Sequence, residues 1–169
     1  MNESATTKAP APRSTTDPAL KPLERLLGDW TTEATHPAVS GVLRGSVHVE
    51  WLDGARFLSH RSKSDHPDFP DSTSIIGFTE RDRVDDEHSA LPAGTTLGMH
   101  YFDSRGVFRL YRVNFDKDTW IIWRDSPGFS QRFTGIITDD GDTITGKWQL
   151  QRDDLRWEDD LEITYRRAR

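Results

Sequence analysis

Ten short runs with strong β-strand propensity follow one another from Trp30 to the C-terminus, and they constrain the fold more than any other feature. They are rich in Val, Ile, Thr, Phe, Tyr and Trp, and turn residues such as Asp140-Gly141 separate them. The runs are 30–36, 42–52, 57–64, 72–81, 95–102, 107–115, 119–124, 129–138, 143–151 and 155–166. A meander of this many strands best avoids exposed edge strands when its first and last strands pair and close the sheet into a barrel. The sequence therefore predicts an all-β fold, a ten-stranded antiparallel up-and-down barrel.

The N-terminal region divides into two parts. Residues 1–16 are rich in Ala, Pro, Ser and Thr and offer almost no apolar surface to bury, so we expect a disordered tail. Residues 17–169 are long enough for one domain with its own core. This domain begins with leucines on one helical face and a proline suited to a first helical turn: Leu20, Leu23, Leu27 and Pro22. They predict one short amphipathic helix before the barrel.

The composition narrows the classes of function. The chain has no Cys, which excludes disulfides and thiolate metal sites. Its net charge of −6 comes from intermixed acids and bases, which argues against a nucleic-acid-binding surface. No apolar run approaches the roughly 20 residues of a membrane-spanning helix, and the N-terminus lacks the apolar core of a signal peptide. We therefore expect a cytoplasmic protein that binds neither nucleic acid nor membrane.

The last predicted strand alternates between apolar and charged residues, which indicates one buried and one solvated face. Asp159 falls on its apolar face. Because a buried acid requires a partner, we expect Arg124 to pair with Asp159 inside the barrel, although Arg124 could instead extend a polar wall with Gln131 and Arg132. Trp120 and Trp123 point to opposite faces of their strand, so at most one of them lines a cavity.

The hairpin of residues 98–115 is the best candidate for a functional wall. It turns at Asp103-Ser104-Arg105-Gly106, where Gly106 suits the positive φ of a bulge. With a three-residue loop, one face carries Met99, Tyr101, Arg109 and Tyr111, and the other carries His100, Phe102, Phe108, Leu110 and Arg112. Neither face is purely apolar. A barrel wall that packs on its outside and encloses a wet cavity would show this pattern.

The side chains of Tyr101, Arg109 and Tyr111 suit an anion, because the guanidinium supplies a fixed fork of donors and the phenols supply directional hydrogen bonds. The alternative is that Arg109 faces solvent and the tyrosines only pack. Arg124 and Gln131 are further candidates for the ligand-binding wall, and three histidines complete the set: His60, His66 and His100. His60, Asp65, His66 and Asp68 lie close in sequence, but their spacing matches no short metal motif, so we predict no metal site.

The segment Gly28-Asp29-Trp30 resembles the Gly-x-Trp signature that opens lipocalin-like barrels. Together with the helix and ten strands, it is similar to the calycin group: lipocalins, fatty-acid-binding proteins and nitrobindin-type haem barrels. The segments FLSHRSKSDHPDFPDSTSIIGF, MHYFDSRGVFRLYR and WRDSPGFSQRFTG resemble a bacterial lipocalin-like domain-of-unknown-function family. The resemblance covers residues 20–166. It implies the fold and little about activity, because fold does not fix function.

Two family properties carry over only in part. Nitrobindin-type barrels hold haem through a His near the end of the chain, but no His follows His100 here, so we predict no haem and no other cofactor. Fatty-acid-binding proteins bind a carboxylate with an Arg-x-Tyr pair on the last strand. Arg109 and Tyr111 have that spacing but lie on an earlier strand. The resemblance therefore implies that such a pair can bind a carboxylate, but it does not imply that the site lies where the family has it.

These features favour binding of a small apolar or amphipathic ligand with an acidic group inside the barrel. No nucleophile elbow, phosphate loop or dinucleotide fingerprint indicates an enzyme. Two alternatives remain open: a barrel-type lyase or isomerase that uses His100 or His66 as acid and base, and a ligand-free structural barrel that forms a homodimer through its wall. A filled interior would exclude the ligand-binding and enzymatic hypotheses.

Overall fold

The computed structural model describes residues 14, 17–52, 54–79, 95–153 and 156–169. In it ten antiparallel strands form a closed barrel, each paired with the next along the chain, and the last pairs with the first. The strands are β1 Gly28–His36, β2 Val39–Trp51, β3 Phe57–Ser64, β4 Ser72–Gly77, β5 Leu97–Asp103, β6 Phe108–Asp116, β7 Thr119–Arg124, β8 Phe129–Ile137, β9 Thr143–Arg152 and β10 Glu158–Arg167. The predicted up-and-down barrel is confirmed.

Some predicted bounds lie outside the described residues. These are residues 80 and 81 at the end of the fourth run, residue 155 at the start of the tenth, and the predicted tail apart from Ser14. The hydroxyl of Ser14 donates to Glu24 Oε1 at 2.7 Å. No helix among the described residues is long and apolar enough to span a membrane.

The predicted N-terminal helix is a 3₁₀ helix over Lys21–Leu26. A 3₁₀ helix repeats every three residues, so Leu20, Leu23 and Leu26 share its buried side, each at most 1% exposed. Leu27, predicted on the buried face from an α-helical period, instead follows the helix and is only half-buried. The helix is fixed to the barrel by Arg25, whose guanidinium donates to Asp118 Oδ1 at 2.6 Å.

Trp30 closes this end of the barrel. Its side chain is 2% exposed, and its indole Nε1 donates to the Leu26 carbonyl at 2.8 Å. The guanidinium of Arg167 lies 4.2 Å from the centre of the Trp30 ring and donates to the Leu27 and Gly141 carbonyls at 2.6 and 3.0 Å. These contacts hold the helix, β1 and β10 together and close this end of the barrel. The interior is therefore accessible from the opposite end.

The predicted bridge between Arg124 and Asp159 inside the barrel is wrong. The β9–β10 register shifts between Asp159 and Leu161, and such a bulge interrupts the alternation of faces. Asp159 therefore lies outside, where its oxygens accept from Lys147 Nζ and Gln149 Nε2, both at 2.8 Å. Arg124 is bonded within the β7–β8 turn, through Phe129 O and Ser126 Oγ at 2.9 Å.

Candidate functional site

The barrel encloses a cavity of about 720 Å³ that opens at the end opposite Trp30. Its rim is formed by loops and strand ends, among them Ala38, Phe69, Arg105 and Arg152. The interior is therefore not filled by side chains, and the cavity is large enough for a small organic ligand.

One side of the cavity carries a row of polar side chains across four neighbouring strands. His60 of β3 is the register partner of Ser74 in β4, Ser74 of Tyr101 in β5, and Tyr101 of Arg109 in β6. Side chains at partner positions point to the same face of a sheet, and all four residues line the cavity. We call these four residues the polar row.

The other side is an apolar wall contributed by β7 to β10. Its aromatic rings pack edge to face or tilted, with Trp120 and Phe133 centroids 5.1 Å apart and Phe133 and Trp148 centroids 5.2 Å apart. The wall comprises Trp120, Ile122, Phe133, Trp148, Leu150 and Ile163. A ligand in this cavity would meet polar groups on one side and apolar surface on the other.

Arg109 stands at the mouth end of the polar row, one residue inside the start of β6. Its Nη1 donates to Gln131 Oε1 at 2.7 Å, the Tyr111 hydroxyl donates to the same oxygen at 2.7 Å, and the guanidinium lies 5.0 Å from the Phe129 ring centre. These contacts hold the guanidinium in place and use one of its five N–H donors.

The charge of Arg109 is not matched by a carboxylate among the described residues. Two other guanidinium groups at the cavity mouth do have carboxylate partners: Arg105 pairs with Asp103 at 2.9 Å and Arg152 with Glu158 at 3.5 Å. An unmatched guanidinium facing a partly enclosed cavity favours an anionic partner.

Asp103 stabilises the turn between β5 and β6 and also accepts a hydrogen bond from Tyr101, a member of the polar row. Its carboxylate accepts from the Arg105 and Val107 amides at 2.9 and 3.1 Å and from the Tyr101 hydroxyl at 3.2 Å. Burial disfavours the carboxylate, but the hydrogen bonds from Arg105 and Val107 outweigh it and lower the pKa of Asp103. Gly106, with φ +79°, completes the turn in the left-handed region as predicted.

Both tyrosines of the site stay protonated at neutral pH. Burial, followed by the negative charge of Asp103, raises the pKa of Tyr101 to about 12. Burial also raises the pKa of Tyr111, against the opposing effect of Arg109. The phenols pack edge to face with centroids 6.1 Å apart, and each hydroxyl donates to a protein oxygen. Of Tyr101, Tyr111 and Arg109, it is therefore Arg109 that has spare donors for a ligand.

The predicted binding residues are thus only partly brought together. Tyr101, Arg109, Tyr111, Gln131 and His60 line the cavity. His100 does not, because it lies on the exposed outer face, paired in register with Leu110 and 6.2 Å from the Phe108 ring. Arg124 is not a lining residue either, because the β7–β8 turn engages its guanidinium.

His66 lies in the β3–β4 loop beside the mouth. Its Nδ1 accepts from the Asp68 amide at 3.3 Å and its ring contacts Phe69, with centroids 5.7 Å apart. The neighbouring Asp68, Phe69 and Pro70 line the cavity, whereas His66 does not. The described residues hold no group of three or more His, Asp or Glu side chains that could bind a metal ion.

Several solved structures share this fold. The structure of Rv2717c from M. tuberculosis has a TM-score of 0.63 and 15% identity, covering 90% of this chain and 98% of that chain. The S-type phycobiliprotein lyase CPES from Guillardia theta has a TM-score of 0.51 and 10% identity, covering 86% and 90%. No protein-family model matches the sequence, and no curated protein matches it significantly. The likeness shows the fold, a closed antiparallel β-barrel, and does not identify a ligand.

Proposed function

We propose that this barrel binds a small amphipathic carboxylic acid, with the carboxylate at Arg109 and the apolar body along the apolar wall. The observation that carries the proposal is the guanidinium of Arg109, which is held by Gln131, faces the cavity and has no carboxylate partner among the described residues. A bound carboxylate would supply that partner through charge-assisted hydrogen bonds, which are stronger than neutral ones.

The two sides of the cavity support an amphipathic ligand over a small inorganic anion. An inorganic anion would leave the Trp120, Phe133 and Trp148 surfaces in contact with water. Each Å² of apolar surface removed from water contributes about 25 cal/mol, so an alkyl or aromatic body adds binding energy that an inorganic anion lacks. A cavity of about 720 Å³ has room for such a body.

Acid–base catalysis has less support. Neither His100 nor His66, the two histidines suggested for it, lines the cavity. His60 does, but burial lowers its pKa to about 4, far from the value near neutrality that suits a general base at pH 7.

Titration calorimetry with dodecanoate and dodecanol tests the proposal, because the two probes share an alkyl chain and differ in the head group. We expect dodecanoate to bind about tenfold or more tightly than dodecanol, since only the acid forms a charge-assisted pair with Arg109. Native mass spectrometry of the gently purified protein should also show a carried organic acid. Equal affinity for the two probes, or no binding of dodecanoate, would contradict the proposal.

A further inference from the structure

Three aromatic rings offer accessible surface to a ligand inside the cavity. Tyr101, Phe129 and Trp148 all line the cavity, and each side chain is half-buried rather than fully enclosed. They belong to three different strands, β5, β8 and β9. A ligand that enters the cavity can therefore contact aromatic surface on more than one side.

Two of these rings belong to one continuous aromatic cluster. Tyr101 packs edge to face on Tyr111, with centroids 6.1 Å apart, and Tyr111 packs edge to face on Trp148, with centroids 6.0 Å apart. The ring of Phe133 supports Trp148 from the other side at 5.2 Å. Each contact restricts the orientation of the ring beside it, because the positive edge of one ring meets the negative face of the next. The cluster is therefore a preformed surface.

The carboxylate anchor lies directly against the aromatic rings. Arg109 is the register partner of Tyr101 on the inner face of the barrel, and its guanidinium lies 5.0 Å from the centre of the Phe129 ring. The part of a ligand that follows its carboxylate therefore lies among aromatic side chains. An arenecarboxylate places a ring at this position, whereas an alkyl acid places methylene groups there.

We propose that the cavity selects an aromatic carboxylic acid, whose rings extend from Arg109 towards Trp148. This inference rests on the proposed function and narrows its ligand class from amphipathic acids in general to arenecarboxylates. Aromatic pairs are stabilised beyond the apolar area that they bury, because the edge of one ring is attracted to the face of another. A saturated acid of the same size buries a similar area but lacks this attraction.

Conformational entropy favours the same class of ligand. An alkyl chain loses rotameric freedom when it is ordered in a cavity, whereas a fused ring system has no rotatable bonds to lose. A cavity of about 720 Å³ has room for two or three fused rings. A rigid aromatic body therefore combines a lower ordering cost with the additional ring contacts.

The test compares 2-naphthoate with trans-decahydro-2-naphthoate by titration calorimetry on wild type. The two acids share a carbon skeleton and are both ionised at pH 7, but only the first is aromatic. Burial of apolar area alone would favour the saturated acid, because its additional hydrogens give it a slightly larger apolar surface. We expect wild type to bind 2-naphthoate about threefold or more tightly instead.

Variants at the two ends of the aromatic surface locate the origin of this preference. Trp148→Leu and Phe129→Leu each keep an apolar side chain but remove a ring, so each should reduce the affinity ratio towards one. Trp157→Leu is the matched control, because Trp157 stacks on Arg132 outside the barrel, and its replacement should leave the ratio as in wild type. If Trp148→Leu does not fold, Phe129→Leu decides.

Equal affinities of wild type for the two acids, or tighter binding of the saturated acid, would overturn this inference and leave the proposed function standing. So would a ratio unchanged in both cavity variants, or binding of dodecanoate without binding of 2-naphthoate. Failure of wild type to bind dodecanoate and both bicyclic acids would contradict the proposed function, and this inference with it.

Discussion

Replacing Trp30 with alanine is expected to lower the free energy of unfolding by about 3–5 kcal/mol, the usual cost of removing a fully buried Trp side chain. Trp30 is 2% exposed and closes the barrel end beneath the helix. Alanine would leave a void against Leu20, Leu23 and Leu26 and remove both the bond to the Leu26 carbonyl and the Arg167 contact. Urea unfolding followed by fluorescence measures the effect.

Trp157→Ala is the matched control, because Trp157 is only half-buried and stacks with Arg132 on the outer face, 4.2 Å from the guanidinium carbon. Its loss should cost about 1 kcal/mol, as for an exposed cation–π pair. Trp30→Phe should fall between the two and folds even if the alanine variant does not. Equal costs at Trp30 and Trp157 would contradict the role of Trp30 as the closure of the barrel.

Replacing Arg109 with methionine is expected to weaken dodecanoate binding by about 10- to 100-fold, because a hydrogen bond to a charged group contributes about 1.5–3 kcal/mol. Methionine keeps an unbranched apolar stem and removes only the guanidinium, so the affinity for dodecanol should stay nearly the same. Gln131 Oε1 retains its bond from the Tyr111 hydroxyl, so the wall should remain folded.

Arg112→Met provides the control for Arg109. Arg112 lies on the same strand but on the exposed outer face, opposite Gly98 and Trp123 in the register. Its replacement removes the same charge from the protein without touching the cavity. If Arg112→Met weakened dodecanoate binding as much as Arg109→Met, the effect would come from overall charge, and the anion site at Arg109 would be wrong.

The strand pattern was strong enough to predict the barrel because alternation and turn chemistry are local properties. The same alternation separated Met99, Tyr101, Arg109 and Tyr111 from His100, and the separation is confirmed: only the first set lines the cavity. Alternation does not say which face is inside. His100 therefore remained a candidate at the sequence level, although the closed barrel places it outside.

Two features escaped prediction because they depend on departures from regular geometry. The bulge at Asp159 moves that carboxylate to the surface, and nothing in the sequence of β10 marks it. Because the helix has a 3₁₀ period, Leu26 rather than Leu27 lies on its buried side.

A third feature depends on the closure of the barrel. His60 of β3 contacts Trp120 of β7, and these two strands are not neighbours in the sheet, so the sequence could not predict the contact. Trp120 rather than Trp123 lines the cavity, as the opposite-face argument allowed.

The six tryptophans allow a direct test of where the ligand binds. Trp120 and Trp148 line the main cavity, whereas Trp123 and Trp157 lie on the outer surface beside Arg132. In ¹H–¹⁵N spectra recorded during a dodecanoate titration, with indoles assigned by Trp→Phe variants, the Trp120 and Trp148 N–H resonances should move saturably and those of Trp123 and Trp157 should stay fixed. Shifts confined to Trp123 and Trp157, or no shifts at all, would contradict ligand binding inside the barrel.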